Sequence, residues 1–390
     1  MASRSGPIVM VAYTYYPWDP RVSREAETLA HMGREVHVVC ARDEGESPTA
    51  VENGVAVHRV PLEVRRGGPG VYAIQYASFF VLAARELRRI RRQRGLAAIH
   101  AHSLPDFIAF LGLVPRLRGV PLILDLHEAA PEIYRARFPR ARLGPRLAAA
   151  VEWVSCLIAN RVITVNETIR DLLASRGVPP ERLLVVYNSP DHATRPEPLA
   201  TPAAPGLHLA YAGSVDAERD LATLLRAADE LRHAVPTSVV IYGRGPPEYR
   251  GYLQGLVDGL SLRDHVTFGG ALPRERVLSQ LNLANVGVVT YVRNPITEVA
   301  LPNKVFEFVV LDKPLVLPNL PAMRRAFEGA ALFYEPGDAA DLAAKVRLAS
   351  QGGPEIEAMR RRAQVVYEAA KWDVQARRLA AAYDAMGAGA

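Results

Sequence analysis

The chain has 390 residues, is 49% hydrophobic and carries a formal net charge of +6, a composition that suits two folded domains and excludes a disordered protein. Its two cysteines, Cys40 and Cys156, lie in apolar stretches without metal or redox spacing, so we expect a reducing compartment and no disulfide framework. No apolar run approaches the length of a membrane span, and the short one at 8–12 is interpreted as a strand and not as a signal sequence.

Apolar runs alternate with amphipathic segments along the chain, a pattern typical of α/β proteins with parallel sheets. In the first half we predict a helix over 21–32 that ends at Gly33, where a left-handed C-cap favours glycine. The strands predicted there are 8–12, 35–40, 55–59, 98–100, 122–125, 161–165 and 183–186.

Five prolines fall within residues 188–206, which predicts a linker and not a regular element. The α/β pattern then restarts. Strands are predicted at 207–212, 238–242, 266–269, 286–289 and 314–316, and helices at 221–234, 249–259, 274–283, 305–310, from about 355, and 372–386. We therefore expect two doubly wound Rossmann-like domains that face each other across a cleft: 1–190, a linker at 191–206, 207–365, and a final helical segment, 366–390, that packs back toward the first domain.

Glycine turns follow three predicted strands of the second half. The first, Gly213-Ser214, precedes Arg219 and a helix near 220, an arrangement that directs backbone N–H groups and a guanidinium at an anion. Gly243 and Gly245 follow the next strand and Gly269 ends the third. Alone, each motif also fits a solvent-facing arginine or a plain tight turn.

The segment Leu301-Pro-Asn-Lys-Val-Phe-Glu-Phe308 places Lys304 and Glu307 three residues apart on one helix face. A cation near a helix N-terminus opposes the helix dipole, which suggests a bound anion there, and a carboxylate one turn later can accept hydrogen bonds from both ribose hydroxyls. The alternative is a solvent-exposed ion pair. The whole series of motifs favours a nucleotide site.

In the first half, His127 and Glu128 follow a buried strand, and Asp19-Pro-Arg21 opens the first helix. His127 at a strand end is a candidate catalytic residue, and the alternative is a histidine that stabilises a turn. Asp19 and Arg21 would line the acceptor side, and the alternative for Asp19 is a helix cap.

Sixteen arginines and only six acids lie between 59 and 146, and 76–94 is apolar first and basic later. This segment resembles an interfacial helix that meets an anionic membrane, and an ordinary core helix with a basic end is the alternative.

The motifs from Gly213 to Lys313-Pro314, with the Asp-Pro-Arg-Val opening, resemble glycosyltransferase family 4, and in particular a bacterial subgroup. The resemblance implies the GT-B fold, sugar transfer from a nucleoside diphosphate donor with retention, and no metal or other cofactor. It implies that Arg219 contacts the diphosphate, that Glu307 holds the ribose and that His127 lies near the donor sugar.

The family often has a second glutamate before the one at 307, but Val299 occupies that position and Glu298 is one residue away, so no catalytic role is assigned to Glu298. The donor's sugar hydroxyls are then left to the backbone around 300–303.

The resulting hypothesis is a cytoplasmic glycosyltransferase, open to a peripheral position at the inner face of the plasma membrane, that acts in polysaccharide, glycolipid or natural-product synthesis. A UDP- or GDP-sugar and a carbohydrate, lipid-linked or small-molecule acceptor are the expected partners, and no nucleic acid is expected. Two alternatives stay open: a nucleotide-sugar 2-epimerase and a non-catalytic nucleotide-sugar-binding subunit. The predicted catalytic residues are His127, Arg219 and Lys304; the donor-binding ones are Gly213, Ser214, Arg219, Gly243, Gly245, Gly269, Asn303, Lys304 and Glu307; the acceptor-side ones are Asp19, Arg21 and Glu128.

Overall fold

The computed structural model describes residues 6–387 except 66, 139, 141, 142 and 190–204. It divides into two compact units: an N-terminal unit of residues 1–188 with 373–390, and a C-terminal unit of residues 189–372. The predicted linker at 191–206 lies outside the described residues except for 205 and 206. We predicted that the last segment begins at 366, whereas the C-terminal unit runs to Trp372.

The N-terminal unit contains an eight-stranded sheet in the order β3-β4-β2-β1-β5-β6-β7-β8. All neighbours are parallel except β3 and β4, which pair antiparallel across a turn at Asn53-Gly54. Strands β2, β5 and β6 are buried along their whole length, as in a parallel sheet covered on both faces. The strands are β1 (Ile8–Tyr15), β2 (Val36–Ala41), β3 (Thr49–Glu52), β4 (Val55–Val60), β5 (Ala98–His102), β6 (Leu122–Leu126), β7 (Arg161–Thr164) and β8 (Leu183–Val185).

The helices of this unit begin with α1, whose first turn is capped by the carboxylate of Asp19. Helix α2 is the longest and buries one face through Phe79, Ala83, Leu87 and Ile90. The helices are α1 (Pro20–His31), α2 (Pro69–Arg94), α3 (Leu113–Leu117), α4 (Ala130–Arg137), α5 (Leu143–Ile158) and α6 (Glu167–Ser175), with 3₁₀ segments at Asp106–Gly112 and Pro180–Arg182.

The C-terminal unit has two three-stranded parallel ladders, β11-β10-β9 and β12-β13-β14. The backbone N–H of Asn285, just before β12, donates to His208 on β9, and residues of both ladders share one apolar core. The strands are β9 (Leu207–Ala212), β10 (Thr237–Tyr242), β11 (Val266–Gly270), β12 (Gly287–Val288), β13 (Leu315–Pro318) and β14 (Leu332–Tyr334).

A 3₁₀ turn at Ala217–Arg219 leads from the first strand of this unit into its first helix. Its helices are α7 (Leu221–Arg232), α8 (Pro247–Gly259), α9 (Arg274–Leu281), α10 (Pro295–Val299), α11 (Asn303–Val310), α12 (Pro321–Phe327), α13 (Ala339–Gln351) and α14 (Pro354–Ala370), and α15 (Trp372–Asp384) follows them in the chain. The predicted fold class, α/β with two Rossmann-like domains, is confirmed, and the predicted elements are present with shifts of a few residues at their ends. Strands β3 and β14 were not predicted.

Most of the last helix, α15, belongs to the N-terminal unit. The backbone N–H of Tyr187 donates to Gln375 at 3.1 Å, and Arg34 pairs with Asp384 at 2.6 Å. The hydroxyl of Tyr383, which is fully buried, lies 2.8 Å from Nδ1 of His100 on β5. These polar contacts anchor the end of the chain to the sheet.

Replacing Tyr383 with phenylalanine should lower the free energy of unfolding of the N-terminal unit by about 1–3 kcal/mol, because it leaves a buried imidazole nitrogen without its partner. Denaturant unfolding monitored by fluorescence measures the change. Tyr134→Phe, at an exposed position on α4, is the matched control and should change stability by less than about 0.5 kcal/mol. Equal effects of the two substitutions would contradict the role assigned to Tyr383.

Candidate functional site

The three glycine-ended strands of the C-terminal unit are neighbours and end at one edge of their ladder. The N–H of Gly213 donates to the carbonyl of Tyr242 at 2.9 Å, and the N–H of Gly243 donates to the carbonyl of Gly270 at 2.7 Å. The turns predicted at 213, 243 and 269 therefore lie side by side, at the edge where parallel α/β sheets bind ligands.

Close packing within the chain accounts for three of these glycines. A Cβ on any of them would overlap a neighbouring part of the chain, which only glycine avoids. The overlaps are with the carbonyl oxygen of Gly213 for position 243, with the carbonyl oxygen of Val215 for position 245, and with the ring of Tyr242 for position 269. These glycines bring the loops together whether or not a ligand is bound.

Arg219 lies in the 3₁₀ turn before α7. Its guanidinium carbon is 4.7 Å from the ring centroid of Tyr291, and its Nη1 donates to the hydroxyl of that tyrosine. Asp216 is its nearest carboxylate, with 3.7 Å between Oδ2 and Nε, and Nε is buried without a hydrogen-bond acceptor among the described residues. The tyrosine ring thus holds the guanidinium in place while leaving donor capacity unused.

The edge of the ladder at which Gly213, Gly243 and Gly269 lie is called the glycine edge. Lys304 lies in the first turn of α11, and its ammonium group reaches back to the glycine edge. Its Nζ is 3.9 Å from the ring centroid of Tyr211, and a Cβ at position 213 would overlap it. Glycine at 213 therefore leaves the space that the lysine occupies. Tyr211, in turn, is fixed by a hydrogen bond of 2.5 Å from its hydroxyl to the carbonyl of Ser214.

Burial, and next the positive charge of Arg219, lower the pKa of Lys304 to about 7, although Glu307 and Asp216 oppose the shift. The two cations are therefore close enough to repel each other. Such a pair is stabilised when an anion binds between or beside the two groups. A lysine with this pKa near neutrality, packed on an aromatic ring at a strand edge, is typical of a functional site.

The remaining donor-side candidates lie on the same elements. Asn303 is the first residue of α11, and Glu307 lies one turn after Lys304 on a face that is half-buried. Glu298, to which we assigned no catalytic role, lies on α10 and is 3.6 Å from Arg293. The structure thus brings Gly213, Ser214, Arg219, Lys304 and the first turns of α11 together.

The N-terminal unit contains a pocket of about 450 Å³ that includes every residue predicted for its acceptor side. It lies at the carboxyl ends of β1 and β6. Trp18, at its edge, leaves 75% of its side chain exposed. The pocket is lined by Thr14, Tyr15, Trp18, Asp19, Pro20, Arg21, His127, Glu128, Val165 and Asn188.

Asp19 both lines the pocket and caps α1, since its Oδ1 accepts from the N–H groups of Arg21 and Val22 at 3.0 and 3.3 Å. Arg21 is only 3% exposed. Its guanidinium turns inward and makes two hydrogen bonds of 2.7 Å to the carboxylate of Asp125. Arg21 therefore borders the pocket without presenting a free charge to it.

Beneath the pocket lies a group of buried titratable residues, which we call the buried network: Arg21, Glu25, His100, His102 and Asp125. Burial and then the charge of Asp125 raise the pKa of Glu25 well above its usual range, and burial lowers the pKa values of His100 and His102. Burial opposes ionisation of Asp125 too, but Arg21 and the neighbouring imidazoles hold its pKa well below the usual range. The network thus holds one ion pair among neutral groups.

Four members of the buried network, Glu25, His100, His102 and Asp125, also place one potential metal-ligand atom each within 4.8 Å of one another. Arg21 lies 2.7 Å from Asp125 and 3.3 Å from Glu25. The guanidinium therefore already supplies the positive charge that these carboxylates attract.

The residues that hold the candidate site residues in place were not predicted from the sequence. Tyr211 and Tyr291, which support Lys304 and Arg219, lie on or beside strands and looked like ordinary core residues. His102 and Asp125 had a signal that was available: each lies at the carboxyl end of a strand, and Asp125 precedes His127 by two, so strand alternation puts both on one side.

Replacing Lys304 with methionine should stabilise the protein near pH 7 by about 1–3 kcal/mol. The folded pKa is about 7 and the unfolded one about 10.5. Between these pH values the unfolded chain binds more protons than the folded protein, so the stability of the wild type rises with pH. The stability difference between Lys304→Met and the wild type therefore becomes smaller as the pH rises.

Denaturant unfolding at pH 7 and pH 9.5, without nucleotide, measures the difference between the two proteins. Lys345→Met, on the exposed side of α13 beside Asp341, is the control and should show no such pH dependence. A gain for Lys304→Met that is equal at both pH values would contradict the buried-cation explanation.

Comparisons with known proteins agree with this geometry. Residues 19–189 match the glycosyl transferase 4-like domain, and residues 205–366 match the glycosyl transferases group 1 domain. No curated protein sequence matches the chain.

Solved structures of similar fold cover nearly the whole chain. Sucrose-phosphate synthase from Thermosynechococcus elongatus is 16% identical with a TM-score of 0.77, and the match covers 98% of this chain and 99% of that one. The trehalose 6-phosphate synthase of Burkholderia multivorans is 15% identical with a TM-score of 0.74, over 99% and 98%. Anabaena HepE, solved in complex with UDP, is 13% identical with a TM-score of 0.71, over 97% and 100%.

At these identities the structural likeness is one of fold, and the two matched domains carry the assignment. Together they span most of both units. The chain is therefore a glycosyltransferase enzyme, and its fold is of the GT-B type.

Proposed function

We propose that this glycosyltransferase takes its sugar from a nucleoside diphosphate donor bound at the glycine edge of the C-terminal unit. The observation that carries the proposal is the pair of cations there, Arg219 and Lys304, each packed on a tyrosine ring and together in need of an anion. Among the solved structures of similar fold, HepE has been solved with UDP and with UDP-glucose. A nucleotide sugar supplies the diphosphate that the two cations would bind.

In the proposed reaction, Arg219 and Lys304 stabilise the negative charge on the diphosphate as its bond to the anomeric carbon breaks. Positioned cations that meet charge as it develops lower the barrier more than they stabilise the bound substrate. The acceptor hydroxyl then attacks the anomeric carbon from the same face, without an enzyme nucleophile, its proton passes to an oxygen of the departing diphosphate, and the product retains its configuration. These side chains take the part that a metal ion plays in other transferases.

Glu307, one turn after Lys304, is proposed to accept hydrogen bonds from the ribose hydroxyls. In this proposal the first turn of α11 binds the diphosphate and the second turn binds the ribose. The backbone at 300–303 is left for the hydroxyls of the transferred sugar.

The pocket of the N-terminal unit is proposed to hold the hydroxyl-bearing part of the acceptor. Arg21 is its one basic residue other than His127, and the charge of Arg21 is balanced by Asp125, whereas Asp19 and Glu128 carry negative charge. A phosphate would gain no opposing charge from these lining residues. A neutral saccharide can donate hydroxyls to the carboxylates and stack one face on Trp18.

The proposed function is tested by separating the nucleotide into its parts. A thermal-shift screen with UDP and GDP first selects the base, and titration calorimetry then compares the diphosphate with the matching nucleoside. Arg219→Ala should weaken binding of the nucleoside diphosphate by about 10- to 100-fold and leave binding of the nucleoside unchanged. Glu307→Ala should weaken binding of both ligands by about tenfold.

Arg226→Ala is the matched control, because this arginine is exposed on α7 and donates to the hydroxyl of Tyr252 at 3.2 Å. Turnover with the selected donor completes the test, and NMR of the product reads its anomeric configuration. An Arg219→Ala enzyme with unchanged turnover, or a donor that epimerises without any acceptor, would contradict the proposal.

A peripheral position at an anionic membrane is proposed for the N-terminal unit. Helices α2, α3 and α5 all contact the 3₁₀ segment at 106–112, and each exposes large apolar side chains. Ile74, Leu117 and Leu147 are each more than half exposed, and arginines are adjacent in the sequence to Leu117 and Leu147. No helix in the described part of the chain has the length and apolar character needed to cross a bilayer.

Co-sedimentation with phosphatidylcholine vesicles, with and without phosphatidylglycerol, tests the membrane surface. We expect binding only when the anionic lipid is present, and Ile74→Glu with Leu117→Glu should lower it several-fold. Val365→Glu, at an exposed position on α14 of the C-terminal unit, is the control. Binding that ignores the anionic lipid would contradict the proposal.

A further inference from the structure

His127 at the floor of the pocket is not an isolated side chain. Its Nε2 lies 3.2 Å from Oδ2 of Asp125 and 3.1 Å from Nδ1 of His102. The side chain of His127 is 19% exposed, whereas those of Asp125 and His102 are almost completely buried. One nitrogen of the imidazole therefore faces the buried network, and no described residue bonds its other nitrogen, Nδ1.

The carboxylate of Asp125 is held in one orientation by several hydrogen bonds. Its carboxylate receives Nε and Nη2 of Arg21, each at 2.7 Å, and its Oδ2 also lies 3.3 Å from Nδ1 of His102. Arg21 is itself held from a second side, because its Nη1 donates to the carbonyl of Val186 at 3.1 Å. The carboxylate is thus ionised, immobile and aimed at the edge of the imidazole that carries Nε2.

A neutral imidazole carries one N–H, and its hydrogen-bond partners decide which nitrogen has it. A buried ionised carboxylate favours an N–H donor, so it favours the proton on Nε2 of His127. The same oxygen accepts Nδ1–H of His102, which makes His102 a second donor and leaves its own Nε2 without the proton. Nδ1 of His127 then carries a lone pair.

We propose that Asp125 is a positioning residue that fixes His127 with Nε2–H donated inward, so that Nδ1 accepts a hydrogen bond from a substrate hydroxyl in the pocket. This inference rests on the proposed function for the identity of the substrate, but the tautomer itself does not depend on it. Through this contact Asp125 would orient the substrate hydroxyl without touching the substrate. The backbone supports the same orientation, because the N–H of His127 donates to the hydroxyl of Ser103 at 3.1 Å.

The tautomer can be measured directly in the wild-type protein, without substrate and without a variant that must fold. Nitrogen-15 NMR of histidine-labelled protein distinguishes protonated from bare imidazole nitrogens, and a His127→Gln spectrum assigns the signal. We expect His127 to show a protonated Nε2 and a bare Nδ1 at neutral pH. A His127 with Nδ1 protonated and Nε2 bare would overturn the proposal, whatever reaction the enzyme performs.

Steady-state kinetics of an Asp125→Asn variant provide a second test. Asp106→Asn, at another buried aspartate of the same unit, is the matched control. Asp125→Asn should lower kcat by about tenfold or more, change KM for the donor little, and alter the His127 signal. The control should change neither kcat nor that signal. A folded Asp125→Asn enzyme with wild-type kcat and an unchanged His127 signal would also overturn the proposal.

The two proposals fail in different ways. If the protein transfers no sugar but shows the expected His127 tautomer, the proposed function is refuted and the positioning role of Asp125 is retained. A chain that transfers sugar with the opposite tautomer would keep the function and refute the positioning.

Discussion

The ion pair between Arg21 and Asp125 is the interaction on which the N-terminal pocket depends. It joins the start of α1 to the end of β6, and through Arg21 it reaches the carbonyl of Val186 after β8. The pair is bidentate and fully enclosed, so either partner alone would be a buried charge without compensation. Three loops at one edge of the sheet are therefore held in a single geometry, and the pocket lies among them.

The two units differ in how their charged side chains are balanced. In the N-terminal unit the positive charge of Arg21 is balanced by Asp125, and Glu25 and the histidines are shifted toward their neutral forms. In the C-terminal unit Arg219 and Lys304 rest on tyrosine rings, and the carboxylate nearest to Arg219, that of Asp216, stays 3.7 Å from Nε without the bidentate pairing that Asp125 gives Arg21. The first arrangement suits uncharged hydroxyl groups, and the second suits an anion. This difference follows from side-chain contacts within each unit.

The fold class followed from the alternation of apolar and amphipathic segments, which is a local property of the sequence. Strand β3 was missed because its residues are largely exposed at a sheet edge, although the Asn53-Gly54 pair after it is a strong hairpin signal. Strand β14 has three residues, too few for a periodic pattern. The candidate residues at strand ends could be placed together for a similar reason, since the carboxyl ends of parallel strands meet at one edge.

The environment of those residues could not be predicted, because it depends on contacts between distant parts of the chain. Arg21 and Asp125 are 104 positions apart, and nothing in the opening motif shows that the guanidinium turns inward. Arg219 and Tyr291 are separated by 72 positions, and Lys304 meets a ring on β9. Sequence spacing therefore nominates candidate site residues, whereas the partner across the fold decides whether a cation is already balanced by a carboxylate or is still available to a ligand.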